Sequence, residues 1–360
     1  MKIGLDISQI VYGTGVSVYT KNLVENLLKI DNKNQYIFFF ASLRRKIPNF
    51  KFPASLAVSA DRQAGGQIPN KSQIPNFKLK TFKLPPTLLE ILWNRLHILP
   101  VEKFIGEVDV FHSSDWTEPP VKKAVKVTTI HDLAVLRYPE TFPKKIVEVH
   151  KRKLEWVKRE TKLIIAVSDS TKKDIVELLG IEPGKIRVIY EAVGEEFKPQ
   201  SKNEIEKVKK KYGIKGDYLL AFSGPARKNL ERIRQAAGGF NLFVIGQPYV
   251  EHQDLPALYS GALGLVYASL YEGFGLPILE AMACGCPVVT SNVSSMPEIA
   301  GEAAVLINPK NENEIRKGIN EMIEKRKELI NLGYKNVKKF SWEKCARESL
   351  GVYQEAFKEK

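Results

Sequence analysis

Glu272 and Glu280 bracket a glycine-rich turn, EGFGLPILE, with seven residues between them. Two carboxylates so spaced can serve one sugar-like ligand, the first beside its ring and the second reaching hydroxyls farther along. Gly273 and Gly275 have no side chains, so a ligand can approach the backbone closely there. Pro277 suits the first turn of a helix, where a missing N–H costs nothing. Such a helix start carries unpaired N–H groups and a partial positive charge, which together favour a phosphate. The same letters also describe a plain strand-to-helix turn in which Glu280 only complements the helix dipole.

The elements that must hold these residues can be read on both sides. Leu265 to Ala268 form an apolar strand, Tyr271 to Leu276 the loop, and Pro277 to Gly285 the helix. Pro287 to Thr290 begin the next strand. Ligands of open α/β sheets sit at the carboxyl ends of strands, where this loop lies. Three other strand ends carry chemistry. The strand Lys2 to Asp6 leads through Gly13-Thr14-Gly15 into a helix, Val16 to Ile30. That is again a phosphate-cradle arrangement, though the full dinucleotide pattern is absent. The strand Tyr218 to Ser223 leads into GPARKN, whose Arg227 and Lys228 offer a planar fork and a point charge. They suit a diphosphate, and equally a solvated pair in a turn. The strand Val125 to Ile130 ends in His131-Asp132, on the cleft side of its sheet. By itself that histidine reads as a loop residue bonded to the backbone.

Bulk properties exclude several classes. At 360 residues, with 44% apolar and 27% charged residues, the chain suits two soluble domains. No apolar run is long enough to span a bilayer, and MKIGLDISQIVYG reads as a strand rather than a signal peptide. Cys284, Cys286 and Cys345 are too few for a disulfide framework, which points to a reducing cytoplasm. The net charge of +14 is concentrated in two windows, 44–83 and 144–163, and nucleic-acid motifs are lacking, so nucleic acid is not an expected partner. The first window repeats KIPNFK (46–51), QIPNK (67–71) and QIPNFK (73–78), and reads as a low-complexity basic insert. The second reads as a helix from Pro143 to Leu163 with Val147, His150, Leu154 and Val157 on one side. Its cations suit an anionic membrane surface, or an ordinary amphipathic helix with solvated lysines.

The stretch EGFGLPILEAMACGCPVV closely resembles the donor-site signature of the retaining glycosyltransferases of family 4, which have the GT-B fold. DLPALYSGA before it and SSMPEIAGEAAVLINP after it continue the resemblance, and VTTIHDLAVLRYPETF resembles the family's histidine segment. The resemblance implies an α/β protein of two doubly wound Rossmann-like domains facing each other across a cleft. Residues 1–195 would form the acceptor-side domain and 196–340 the donor domain, with a helix at 341–360 crossing back to the first. The implied reaction moves a hexose from a nucleotide-diphosphate sugar to a glycan or lipid-linked acceptor hydroxyl with retention, in cell-envelope glycan or glycolipid synthesis. His131 and Glu272 would orient the donor sugar as the catalytic pair. Arg227, Lys228, Gly15 and the amides of Phe274, Gly275 and Leu276 would take the diphosphate, and Glu280 the ribose hydroxyls. Asp132 is left undecided. No Asp-x-Asp pair occurs, which fits a reaction with no metal and no cofactor beyond the sugar nucleotide. The enzyme would then be cytoplasmic, with a peripheral position on the inner face of the membrane as the other expectation. Against the family's usual pattern, one strand–helix unit is missing between Asn229 and Asp254. That keeps open a non-catalytic binding subunit of the same fold. A sugar-nucleotide epimerase of related fold is the other alternative.

Overall fold

The computed structural model describes residues 1–45 and 76–359. Seven strands form a first sheet: β1 (Lys2–Asp6), β2 (Gln35–Ala41), β3 (Phe77–Phe82), β4 (Val110–Ser113), β5 (Val125–Ile130), β6 (Thr161–Ala166) and β7 (Ile186–Val188). Five form a second: β8 (Leu219–Phe222), β9 (Leu242–Ile245), β10 (Gly264–Tyr267), β11 (Val288–Ser291) and β12 (Ala304–Ile307). Every pairing is parallel, and the orders are β3-β2-β1-β4-β5-β6-β7 and β12-β11-β10-β8-β9. Parallel strands are covered on both faces, so they read as apolar runs; β2, QYIFFFA, is buried from Tyr36 to Ala41. Both sheets are doubly wound, as a GT-B fold requires. Each has one point where the strand order reverses, between β1 and β4 and between β8 and β10, and such points open a crevice at the strand ends.

The helix Gly15–Ile30 covers the first sheet with Tyr19, Leu23, Val24, Leu27 and Leu28, which recur at helical spacing. The helix Trp342–Lys358 packs beside it and buries Cys345, Ala346, Val352, Tyr353 and Ala356 in the same core. The Tyr353 hydroxyl lies 2.7 Å from Nδ1 of His112 on β4.

Several expected elements change shape. The basic insert is shorter than expected at its far end, because Phe77 to Phe82 pair along β2 as an edge strand. The repeats at 46–51 and 67–71 lie outside the described residues. The basic helix is Lys144–Glu160, and Thr161 already belongs to β6. The regular charges from Glu312 to Leu332 read as one helix, but the structure has two, Glu312–Glu324 and Arg326–Val337, broken at Lys325. Between Asn229 and Asp254 stand one longer helix, Leu230–Ala236, and one strand, so the second sheet ends at β9.

Candidate functional site

The two sheets meet where the glycine loop touches the histidine segment. A Cβ on Gly273 would stand 1.8 Å from the His131 carbonyl oxygen and 2.7 Å from Cβ of Asp132. The bare backbone at Gly273 therefore admits the first sheet's loop, and not a ligand as the sequence suggested. Its carbonyl accepts hydrogen bonds from Ser168 Oγ at 2.6 Å and Thr171 Oγ1 at 3.1 Å. Ser168 also caps the helix Asp169–Leu179, whose first amides, Asp169 and Ser170, donate to the Glu298 carboxylate from the second half.

On the first sheet, β5 delivers His131 to its carboxyl end. His131 Nδ1 lies 2.9 Å from Oε1 of Glu191, and Tyr19 meets the ring edge-on at 4.7 Å. Burial alone would lower the imidazole's pKa. The Glu191 carboxylate, with the charges of Asp115 and Asp132, outweighs it and holds the value above the ordinary 6.5. Because Nδ1 is engaged, Nε2 is the nitrogen left for other partners. Glu191 follows β7, and the strand-end rule that found His131 would have found it too.

On the second sheet, the turn after β8 places Lys228 against the loop after β10. Lys228 Nζ lies 2.8 Å from Oε1 of Glu272 and 2.9 Å from the Tyr267 hydroxyl. Burial works against the ammonium, but Glu272 and Tyr267 keep its pKa above the ordinary value. Asn229, in a left-handed conformation, fixes this turn by donating to the carbonyls of Ala268 (2.9 Å) and Pro309 (2.7 Å). Ser294 and Ser295 hold the Glu272 carbonyl at 2.6 and 3.0 Å. Gly275, at φ +102°, opens the helix Leu276–Ala283, a conformation that a side chain would strain. The ring of Phe274 is buried beside Tyr190 and Phe340, so only its backbone faces the loop's concave side. Glu280 Oε2 accepts from the Tyr259 hydroxyl at 2.8 Å, and burial pushes its carboxyl up to about 7.

A cavity of about 570 Å³ lies in front of His131. It is lined by Asp6, Asp115, Trp116, Asp132 and His150 of the first half, and by Arg227 of the second. Thr14 and Val16 line it on either side of Gly15, and among the described residues nothing beyond its own turn of chain lies within 4 Å of where a Gly15 Cβ would stand. The Arg227 guanidinium lies over the Phe142 ring at 5.1 Å, and its Nη1 is buried without a hydrogen-bond partner among the described residues. The indole Nε1 of Trp116 is likewise unpartnered. Burying a guanidinium donor unpaired is costly, so these nitrogens mark where a polar ligand would be received. Lys228, Glu272 and Glu280 lie outside the lining, toward the second sheet. The sequence missed Asp115, Trp116 and His150; none stands in a glycine loop.

Two family models match the chain: Glycosyltransferase Family 4 over residues 13–197 and Glycosyl transferases group 1 over residues 200–339. This chain belongs to glycosyltransferase family 4. The transferase is 32% identical over 265 residues to the O-antigen chain mannosyltransferase B of Escherichia coli, an alignment that takes in 63% of this chain and 70% of the relative. Its fold is that of the sucrose-phosphate synthase of Thermosynechococcus elongatus (TM-score 0.70, 17% identity, 100% of both chains). It is also that of HepE of Anabaena, solved with UDP-glucose (TM-score 0.66, 16% identity, 99% and 100% covered).

The Glu191–His131 pair makes a pH-dependent feature of this glycosyltransferase. A raised imidazole pKa contributes stability that is complete below about 6.5 and is lost as pH rises through the folded value. Glu191→Gln should move the His131 titration to lower pH, because burial is then opposed only by the more distant charges of Asp115 and Asp132. NMR titration of the ring protons checks the direction, and an unmoved midpoint would show that Glu191 does not set it.

Proposed function

We propose that this glycosyltransferase moves a hexose, most simply a mannosyl unit as in its O-antigen relative, from a nucleoside-diphosphate sugar to a glycan or lipid-linked acceptor hydroxyl with retention. The observation that carries the reading is the buried Nη1 of Arg227, which has no hydrogen-bond partner among the described residues, at the cavity wall that His131 shares. The departing diphosphate gains negative charge while the sugar carbon becomes oxocarbenium-like. Arg227, Lys228 and the backbone at Gly15 and Phe274 to Leu276 are the groups this chain has to stabilise that charge. These two cations supply what a metal supplies elsewhere, so the reading includes no metal. His131 and Glu272 orient the reacting sugar, and Glu280 takes the ribose hydroxyls with the oxygen that Tyr259 leaves free. The acceptor enters the cavity between Asp115, Trp116 and His150.

Release of nucleoside diphosphate from GDP-mannose and UDP-glucose, with and without methyl α-mannoside, tests the reading. Product without acceptor, as an epimerised sugar nucleotide, would favour the epimerase. Binding without turnover would favour the non-catalytic subunit, which the short second sheet already allows. Glu280→Ala should weaken donor binding by about 1.5–3 kcal/mol, the range for a hydrogen bond to a charged group. Wild-type affinity should rise as pH passes about 7, where the carboxylate forms, and the variant's should not. Calorimetry at pH 6 and 8 reads both, and equal constants for the two proteins sink the ribose role.

The membrane enters this proposal in a changed form. Val147, Leu154, Val157 and even Lys153 of the basic helix are buried, Arg152 pairs with Glu90 at 2.6 Å, and Lys162 with Glu359 at 3.3 Å. Lys144, Lys145, Lys151, Lys158 and Arg159 remain exposed. Beside that helix the segment 86–99 exposes Leu88, Ile91, Leu96, Ile98 and Leu99, while its Pro86 and Leu89 line the cavity. Apolar side chains ringed by cations suit an anionic bilayer. Sedimentation with anionic vesicles should exceed that with zwitterionic ones and fade at high salt; equal recovery on both removes the membrane from the proposal. Among the described residues no helix is long and apolar enough to cross a membrane.

A further inference from the structure

We propose that Tyr271 is a positioning residue, whose hydroxyl fixes the His131 segment of the first sheet against the Glu272 loop of the second. The inference rests on the roles given above to His131 and Glu272, and adds what sets the distance between them. The Tyr271 hydroxyl donates to Asp174 Oδ2 at 2.6 Å and accepts the Leu133 N–H at 3.1 Å. Both partners belong to the first half, so its hydrogen-bonding capacity is spent across the interface. Asp174 is itself held, because Arg137 donates to its Oδ1 from Nε at 3.0 Å and from Nη2 at 2.6 Å. The ring lies beside that of Tyr138, with 5.7 Å between centroids.

Sequence adjacency turns these bonds into a gauge. Tyr271 immediately precedes Glu272, and Leu133 is two residues beyond His131. Planar peptides about 3.8 Å long connect each bond to each working residue, so little slack remains. Packing needs only the ring: a phenylalanine would fill the same buried space. The hydroxyl is what would be lost, leaving a buried N–H and a carboxylate oxygen short of a partner. Burial, with Asp132 and Asp174 close by, keeps the phenol protonated and so available as a donor. The neighbouring contact at Gly273 fixes how closely the segments approach, and Tyr271 fixes their register.

The test is a double-mutant cycle on the full chain, read as nucleoside-diphosphate release from GDP-mannose, with binding of GDP measured alongside. Tyr271→Phe is expected to lower kcat by about 10- to 100-fold, as misplacement of order 1 Å does, and to change the GDP dissociation constant by less than about threefold. In a Glu272→Gln background the same substitution should cost less than about threefold more, because there is no longer a carboxylate to align. Asp174→Asn breaks the link from the other side and should lower kcat in the same direction, so a folding defect in one variant does not decide the matter. Equal losses in both backgrounds, or a wild-type kcat in Tyr271→Phe, overturn the proposal. Full turnover in Glu272→Gln overturns the assignment of Glu272 and this inference with it, a result visible before Tyr271 is touched.

Discussion

Gly273→Ala is expected to lower turnover by about a hundredfold, although it adds only a methyl group. That methyl would need the space of the His131 carbonyl oxygen, 1.8 Å away, and the obstacle is backbone that cannot rotate aside. The loop carrying Glu272 must move away from the segment carrying His131 by more than 1 Å to reach ordinary contact. Displacement of that order costs about 10²-fold where reacting groups are aligned. It should also lengthen the bonds from Ser168 and Thr171 to the Gly273 carbonyl, so stability falls too. Steady-state rates and a thermal melt on the same preparation check this. Wild-type turnover would show that the two segments are free to part, and that their contact is not needed for the reaction.

Glu272→Ala is expected to reduce both turnover and stability, for separate reasons. The rate should fall by about 10²–10³, the cost of removing one preorganised electrostatic contact where such contacts are strong. Stability should fall because Lys228 keeps its charge and loses the carboxylate at 2.8 Å. Breaking a buried pair typically costs about 3–5 kcal/mol, and with side-chain exposures of 18% and 13% this one belongs at or below the low end. The double variant Glu272→Leu, Lys228→Leu separates the two effects. It should regain much of the stability, since no charge is left buried, and none of the rate. Recovery of turnover in the double variant would show that the pair only holds the loop together.

The strands most legible in sequence were those buried on both faces, such as Lys2–Asp6 and Val125–Ile130, whose apolar runs leave little choice of period. One edge strand, β3, was not legible, whereas β9, also at an edge, was. β3 reads FKLKTF, with lysines facing solvent, and merges with the repeats before it. Its strand character comes from β2 alongside, which no local pattern reveals. The break at Lys325 was hidden because apolar spacing runs through both helices, and only their packing against different neighbours separates them. In the site, strand ends and glycines revealed one side at a time: His131 from β5, Lys228 from β8, Glu272 from β10. What stayed invisible was how the sides meet. Gly273 reads as room for a ligand until His131 is placed opposite it, and Glu191, though near a strand end, gives no sign of its imidazole partner until the two strand ends are brought together. Those are facts of tertiary approach between segments far apart in the chain.

The helix Trp342–Lys358 has a consequence for synthesis. It completes the core under β1, β4 and β5, yet it is made after every strand of both sheets. The first half can form its strands early on the ribosome, but Tyr19, Leu27 and the buried face of His112 wait for partners hundreds of residues away. At roughly 5–20 residues per second that wait is on the order of tens of seconds. The second sheet lies wholly inside the interval and can close before the first is finished. The half that emerges first is thus the half that folds last, and during the delay its apolar surface is open to chaperones or to other nascent chains.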